Sequence, residues 1–471
     1  MAPLSLLAKP CASLARALYG EDALKHETAS EAGVFSALLC FVVGIYWMMR
    51  SLKDSVFATL IGLKYQPQAK MLSLVVCVSV LFVYNKVVDL APRRHLFTVV
   101  CGGYACLFMG IAACLLSPSI GLAAVGADGR LRPPSPDRWL GWVHYFAIES
   151  YGSLAVSLFW QYTNSQVTLK DAKAQYGIIV AGGQVGAITG CTLVVGSKQF
   201  GVAQLYGLGG LLTLVAPVIV HFHHERFGRT RAAHAVAPAA AMAPQSGGDA
   251  STKKAEKVTP GLFEGLRLLL QHPYVLGIFA VSALFEVIAT ILDYQMKVLA
   301  KASHTSTADF AAFMGLFGQA TNTVSLVFSL LGTSFVIRTL GVRLSLMLFP
   351  AMLIVTVCIV WSAPSMWVLF AVMVSIKGLA YALNNPSKEM LYMATTDSIK
   401  FKAKSWIDVF GGRASKALGS IVTNTFKVRA GSPGTHTPHL RAPLPHCRPP
   451  RRVRTPAARI ALPQRTLLPT I

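Results

Sequence analysis

Charged side chains inside apolar stretches are the residues of this chain best suited to chemistry. Lys53 and Asp54 stand between two apolar runs, GVFSALLCFVVGIYWMM and SVFATLIGL, and Glu149, Glu286 and Lys377 lie within other such runs. Charges at membrane depth cost several kcal/mol unless they are paired or line a water-filled path. The pattern therefore predicts a path for a charged solute through a helical membrane domain.

The composition is that of an integral membrane protein in a lipid bilayer. Of 471 residues, 54% are hydrophobic and 13% are charged, and the mean hydropathy is +0.53. Soluble proteins average about 25% charged residues. The apolar runs are roughly 20 residues long, which suits spanning helices rather than barrel strands.

The net charge of +23 arises mainly from Lys and Arg in loops and in the C-terminal tail. These residues lack aromatic interleaving and any recognition motif, so we expect them to orient the chain in the bilayer and not to bind nucleic acid. Their bias places the N-terminus and the central linker on the insertion side of the membrane.

The motifs exclude several kinds of site. The nine cysteines form no CxxC pair and no His lies at metal-ligand spacing, so the sequence predicts no metal and no cofactor. No GxxxxGK[ST] motif is present, which excludes an ATP-hydrolysing pump and favours a carrier over an enzyme. Gly182, Gly186 and Gly190 recur every four residues and predict close helix packing.

The order of apolar and polar stretches predicts two halves. The expected domains are an N-terminal tail (1–32), a first six-helix half (33–222), a disordered basic linker (223–260), an incomplete second half (261–426) and a disordered Arg/Pro-rich tail (427–471). The ten predicted spans are 33–62, 70–91, 95–116, 139–161, 173–197, 201–222, 274–296, 309–335, 343–362 and 365–384.

Basic turns recur two spans into each half, at 86–94 and at 335–343. Parallel six-helix repeats are the plan of major-facilitator transporters. The predicted fold is therefore all-α and major-facilitator-like, with ten complete spans and a truncated eleventh that begins at Trp406. The tail has no acidic residue and no apolar run long enough to span. We expect it to reflect a frame error or an unspliced intron, with a genuine basic extension as the alternative.

Each buried charge also has a structural interpretation. Lys53 can pair with Asp54 or end its helix and extend to the interface, as Lys377 also can. Mid-span glutamates can be protonated and purely structural. Asp293 lies seven residues after Glu286 and shares its helical face, and Lys297, four residues further on, is predicted to pair with Asp293.

Several segments, in order, resemble those of the ATP/ADP translocases of plastids and obligate intracellular bacteria, the tlc-type nucleotide transporters. The family patterns are R-x-L-K-D, E-x-x-G-S followed by FWxxxN, D-x-A-K-x-x-Y, P-x-K-E-M/I, and K-x-K followed by ID-V and a final Lys. The resemblance covers about residues 33–425. The matching segments are Arg50–Asp54, Glu149–Asn164, Asp171–Tyr176, Pro386–Met390 and Lys402–Lys416.

The resemblance implies strict exchange of ATP for ADP or, in some branches of the family, uptake of other nucleotides, sometimes with a proton. It also implies a location in the plastid envelope. It implies substrate-binding roles for Lys53, Glu149, Glu286 and Lys416. Where plastid members follow the glutamate of span seven with T-W-K, this chain has Ile288-Ala-Thr-Ile-Leu-Asp293, which leaves the nucleotide preference open. The other substrate-binding candidates, from depth or from the matched segments, are Asp54, Asn164, Lys377 and Lys388.

Charge supports the same mechanism. ATP and ADP carry roughly four and three negative charges near neutral pH. Lys53 and Lys416 can neutralise phosphates in a low-dielectric cavity, while Glu149 and Glu286 suit the adenine amine or the ribose, or pair with the lysines when the site is empty. We expect a monomer. The alternatives are a proton-coupled or other nucleotide or organic-anion carrier on the same fold, and a non-transporting membrane protein.

Overall fold

The computed structural model describes residues 26–90, 95–126, 129–167, 169–236, 267, 269–331, 333–363, 365–380, 391, 407 and 411–430. These residues are helical apart from short loops, turns and one isolated bridge between Val125 and Leu131. The chain divides into a large compact unit, Met1–Val428, and a second unit, Arg429–Ile471. The packing and the site described below belong to the first unit.

The described part of the first half contains seven helices of twelve or more residues. Helices α6 and α7 are separated by Leu214 alone and share one apolar span, Val202–Phe227. A single helical turn, Ser197–Phe200, precedes them. The helices are α1 (His26–Leu60), α2 (Gln66–Leu90), α3 (Leu96–Leu116), α4 (Trp139–Gln166), α5 (Leu169–Val195), α6 (Val202–Thr213) and α7 (Val215–Val236).

The second half begins at Pro273, which occupies the first turn of its helix, where the missing N–H costs no hydrogen bond. The Ser365 side chain caps α11 by accepting a hydrogen bond from the Val368 amide at 3.2 Å. The described helices are α8 (Pro273–Ser303), α9 (Thr307–Leu331), α10 (Thr333–Ser362), α11 (Met366–Leu379) and α12 (Gly412–Ala430).

Each predicted span overlaps one or more of these helices, as expected for backbone that must satisfy its own hydrogen bonds in lipid. The basic turn predicted at 335–343 is wrong, because these residues lie within α10, which begins at Thr333. Seven helical segments of the described chain are long and apolar enough to cross a membrane by themselves. Two shorter apolar helices, Pro350–Ser362 and Met366–Leu379, add to them. The protein is therefore an all-helical integral membrane protein.

Helix α1 packs closely along α5 through small residues. A side-chain carbon on Gly186 would lie 2.0 Å from the carbonyl oxygen of Cys40, and one on Gly190 would lie 2.1 Å from that of Gly44. Neither position has room for any other residue. The packing role predicted for these glycines is confirmed, because only their lack of a side chain allows the backbones to approach this far.

The two halves meet where α9 packs against α5 and α1. A side-chain carbon on Gly318 of α9 would lie 2.5 Å from the Cys191 sulfur of α5. Polar contacts continue this seam toward the start of α9, where the Thr59 and Thr307 hydroxyls are 2.7 Å apart. The end of α1 and the start of α9 are thus joined directly.

The helices extend past the boundaries predicted for the first half. Helix α7 continues to Val236, so residues 223–236, predicted as the start of a disordered linker, are helical. His223, which suggested a loop, is buried and lies 2.9 Å from the Tyr162 hydroxyl and 3.2 Å from Glu31. Polar partners on α1 and α4 thus allow this histidine to lie inside the bundle. At the other end, α1 begins at His26, within the predicted tail.

Other boundary predictions lie partly outside the described residues. Residues 237–260 of the predicted linker and 431–471 of the predicted tail belong to this group. The predicted eleventh span, expected from Trp406, corresponds to α12, which begins at Gly412 and continues to Ala430. Residues 427–430, predicted as the start of a disordered tail, are therefore helical.

Candidate functional site

A cavity of about 560 Å³ lies between helices of both halves. Its walls come from α1, α2 and α4 on one side and from α8, α11 and α12 on the other. Seven basic and four acidic side chains line it, which leaves an excess of three positive charges. They are Arg50, Lys53, Lys70, Lys297, Lys377, Arg413, Lys416, Asp54, Glu149, Glu286 and Asp293.

Helix α1 presents its charges to the cavity on one face. Tyr46, Arg50, Lys53 and Asp54 follow one another at intervals of four, three and one residues, which places them on neighbouring turns of the same side. The helix continues to Leu60, and Lys53 and Asp54 are 5% and 3% exposed. Lys53 therefore neither ends the helix nor extends to the membrane interface.

Glu149 of α4 is contacted by cations from both halves. Lys53 forms an ion pair with its Oε1 atom, and the Arg413 guanidinium of α12 lies 3.9 Å from its Oε2 atom. The Lys53 ammonium also lies 4.2 Å from the centre of the Tyr145 ring, within cation–π range. His144 approaches the Lys53 carbonyl oxygen through Nε2 at 3.2 Å, which links α4 to α1 beside the pair.

Glu286 of α8 faces Lys416 of α12. The ammonium lies 3.7 Å from Oε2, and the side chains are 28% and 48% exposed, so the pair is open to water. Phe279 lies seven residues before Glu286 on the same face of α8 and also lines the cavity. The helix thus places a flat apolar ring two turns from a carboxylate.

Asp293 of α8 is the centre of the largest ion-pair cluster among the described residues. Lys297 lies 2.6 Å from its Oδ2 atom, as the sequence spacing predicted. Lys70 of α2 approaches the same oxygen at 3.3 Å, and Lys377 of α11 approaches Oδ1 at 3.0 Å. Three ammonium groups therefore share one carboxylate.

Asp54 joins this cluster from the first half. Its Oδ2 atom lies 2.8 Å from Lys297, and its Oδ1 atom accepts a hydrogen bond from the Gln66 amide at 2.7 Å. Lys53 and Asp54, which the sequence allowed to pair with each other, have different partners in the structure. Lys53 turns to Glu149, and Asp54 turns to the second half.

Six of the eight predicted site residues line the cavity. Asn164 lies within α4, but its side chain is outside the described part of the structure, as is the whole of Lys388. The six are Lys53, Asp54, Glu149, Glu286, Lys377 and Lys416.

Sequence reasoning missed three cavity cations, of which Arg50 belongs to a matched segment that received no role at that position. Lys70 was placed at the first residue of a predicted span, where a lysine is normally interfacial, although it reaches inward to Asp293. Arg413 was part of a matched segment but had no assigned role. No group of three or more His, Cys, Asp or Glu side chains is arranged to hold a metal within the described ranges.

The sequence model of the TLC ATP/ADP transporter family matches residues 32–443. The chain belongs to this family. This match confirms the resemblance drawn from the motifs, and the protein is a membrane transporter.

Similar proteins come from bacteria and plants. The chain is 25% identical to "ADP,ATP carrier protein 1" of Chlamydia trachomatis, in an alignment that covers 89% of this chain and 86% of that protein. It is 24% identical to "ADP,ATP carrier protein 1, chloroplastic" of Arabidopsis thaliana, over 84% of this chain and 68% of that protein.

Among solved structures, the fold is similar to that of the nucleoside transporter NupG. The TM-score is 0.55 at 14% sequence identity, with 84% of this chain and 91% of that chain covered. The predicted major-facilitator-like architecture of the transmembrane helices is therefore confirmed.

Proposed function

We propose that this protein exchanges ATP for ADP across a membrane by alternating access. The observation that carries the proposal is a cavity between two halves of a TLC-family chain in which basic side chains outnumber acidic ones by seven to four. An excess of three positive charges complements ADP and ATP, which carry roughly three and four negative charges. The volume, about 560 Å³, falls in the usual range for small-molecule sites.

Lys53 and Lys416 are the proposed phosphate contacts. Each is paired with a glutamate, Lys53 with Glu149 and Lys416 with Glu286. A phosphate oxygen can replace the carboxylate at each lysine and keep the ammonium neutralised, which makes binding an exchange of ionic partners. The freed glutamates then suit the adenine amine and the ribose hydroxyls, because they would repel phosphate.

The base has a suitable surface along α8. Phe279 lines the cavity two turns from Glu286, so an adenine ring lying against Phe279 places its amine near a carboxylate acceptor. Flat apolar faces with a few polar groups that fix orientation are typical of small-molecule sites. Asn164 and Lys388 remain proposed contacts on the strength of the motifs alone.

Exchange rather than one-way transport follows from the charge of the cavity. When the site is empty, reorientation requires the halves to separate at α9 and to close over seven cations that only four carboxylates compensate. Charges without compensation in a low-dielectric region are costly. A bound nucleotide supplies the missing negative charge, and the loaded carrier is therefore the form that crosses.

The membrane we propose is the plastid envelope, because the plant proteins similar to this chain are named as chloroplastic. Bacterial relatives cover a comparable share of the chain, and a plasma membrane is the alternative that localisation of a tagged chain would reveal. We propose that one chain forms the complete cavity and works as a monomer, transporting its substrates without chemical conversion.

Counter-exchange in proteoliposomes tests the function. The full chain is reconstituted with internal ADP, and uptake of labelled ATP is measured against vesicles loaded with buffer. We expect uptake only with internal nucleotide, one ADP leaving for each ATP entering, and no release of inorganic phosphate. Uptake driven by a proton gradient into empty vesicles would favour the alternative anion carrier, and the absence of any nucleotide movement would contradict the proposal.

A further inference from the structure

The ion-pair cluster around Asp293 contains more positive than negative side chains. Among the residues that the structure describes, it contains three lysines, Lys70, Lys297 and Lys377, but only two carboxylates, Asp54 and Asp293. An isolated cluster of structural ion pairs is expected to balance its charges, because each uncompensated buried charge is costly. The surplus cation therefore points to an anion that completes the cluster.

The geometry shows which lysines hold the surplus. Lys297 sits between two carboxylates, 2.6 Å from Asp293 and 2.8 Å from Asp54, and its side chain is only 6% exposed. Asp293 is the only carboxylate of the described residues that Lys70 and Lys377 contact, at 3.3 and 3.0 Å, and their side chains are 18% and 13% exposed. The Lys377 ammonium also lies 4.9 Å from the centre of the Phe317 ring. Lys297 is thus the fixed member, while Lys70 and Lys377 are the members that can turn toward a ligand.

The two lysines also stand on opposite halves of the molecule. Lys70 belongs to α2 in the first half, and Lys377 belongs to α11 in the second. Ser73, one turn beyond Lys70, lines the same cavity, and its hydroxyl donates a hydrogen bond to the Lys70 carbonyl oxygen at 2.7 Å. A phosphate group at this position would be held from both halves by charge-assisted hydrogen bonds.

The position along α8 sets the relation to the proposed nucleotide site. Glu286 and Asp293 are seven residues apart on one face of the helix, which corresponds to about 10 Å along its axis. A single phosphate near Lys416 and Glu286 does not cover that distance. A chain of two or three phosphates extends toward Asp293, so its terminal group approaches Lys70 and Lys377.

We propose that Lys70 and Lys377 form a subsite for the terminal phosphate of the nucleotide and that this subsite distinguishes di- and triphosphates from monophosphates. The inference rests on the proposed nucleotide function for the identity of the ligand. The terminal phosphate displaces Asp293 from Lys70 and Lys377, and Asp293 keeps Lys297 as its partner. No covalent bond changes in this step.

Binding of ADP, AMP and inorganic pyrophosphate to the purified full chain tests the subsite. Lys70→Gln and Lys377→Gln should each weaken ADP and pyrophosphate binding about tenfold or more, since each removes a charge-assisted contact, while AMP binding changes little. Lys70→Arg keeps the charge and should retain most of the preference for ADP over AMP. Lys198→Gln is the matched control, because Lys198 also pairs with an aspartate across the halves, Asp309, but outside the cavity.

The outcomes separate this inference from the proposed function. An unchanged ratio of ADP to AMP affinity in both glutamine variants overturns the subsite, even if the wild-type chain exchanges nucleotides. Pyrophosphate binding that is lost in Lys70→Gln, in a chain that binds no ADP, supports the anion subsite and contradicts the nucleotide function. Equal losses for ADP, AMP and pyrophosphate, or a loss in Lys198→Gln, would assign Lys70 a merely structural role and overturn the inference.

Discussion

Two lysine–glutamate pairs line the cavity, and they differ in the distance between the charged groups and in the exposure of the lysine. Lys53 and Glu149 form a contact pair within the first half, with side chains 7% and 24% exposed and Arg413 close by. Lys416 and Glu286 form a looser pair at 3.7 Å within the second half, 48% and 28% exposed. A pair removed from water is costly to break, whereas a pair in water contributes little to stability. The first therefore combines a structural and a binding role, and the second is mainly available for binding.

The largest effect is expected from the buried pair. Lys53→Ala should abolish exchange and lower the free energy of unfolding by about 3–5 kcal/mol, because the Lys53 side chain is only 7% exposed and its removal leaves the half-buried Glu149 carboxylate without its closest partner. Thermal unfolding of the purified variant and ADP-dependent ATP uptake measure the two effects. Adding Glu149→Gln should recover most of the stability but none of the exchange. Near-normal uptake by the single variant would refute the assignment of Lys53.

The open pair should separate function from stability. Glu286→Ala or Lys416→Ala is expected to abolish or strongly reduce exchange, with a change in unfolding free energy of only about 0–1 kcal/mol, since the two groups are 3.7 Å apart and the Lys416 side chain is 48% exposed. Uptake and unfolding are measured as for Lys53. A stability loss as large as that of Lys53→Ala would show that the two pairs are equivalent and that the contrast in exposure has no consequence.

The position of Lys53 in its pair with Glu149 also depends on the packing of α1 against α5. Gly186→Ala should destabilise the protein by about 1–3 kcal/mol, because the added carbon would lie 2.0 Å from the Cys40 carbonyl oxygen and must push α1 away from α5. Gly103→Ala is the control, since nothing lies within 4 Å of a side-chain carbon there. Equal unfolding temperatures for the two variants would contradict the close packing of α1 on α5.

The smallest effect is expected from an ion pair outside the cavity. Lys198 and Asp309 are 2.5 Å apart, and the Lys198 side chain is 65% exposed. Lys198→Gln should change stability by less than about 1 kcal/mol and leave the apparent affinity for ATP unaltered. A clear loss of ATP affinity would mean that charge anywhere between the halves matters, and would weaken the distinction between the cavity and its surroundings.

The sequence was sufficient to predict the helices and most of the charged residues that line the cavity, because both stand out in a chain that is buried in a membrane. A twenty-residue apolar run leaves little choice of structure, and Lys53 or Glu286 within such a run stands out against its neighbours. The partners were harder to predict. Lys53 was next to Asp54 in sequence but pairs with Glu149, ninety-six residues away, and only the packing of α4 on α1 determines this choice.

Lys70 and His223 are buried residues that the sequence did not indicate as such. Both lie near predicted span ends, where polar residues normally face the interface, so neither indicated a buried role. Lys70 contacts Asp293 because α2 begins beside the cavity. His223 can be buried because its two ring nitrogens lie within hydrogen-bond distance of Tyr162 and Glu31. Such roles depend on which helices are neighbours, which hydropathy does not encode.

A structure of the full chain determined with ADP bound would show whether the charged cavity between the halves is the nucleotide site. We expect density for ADP inside the cavity, with the phosphates within hydrogen-bond distance of the Lys53 and Lys416 ammonium groups and with the Lys416–Glu286 pair separated. ADP bound elsewhere, with both lysine–glutamate pairs intact, would contradict this expectation.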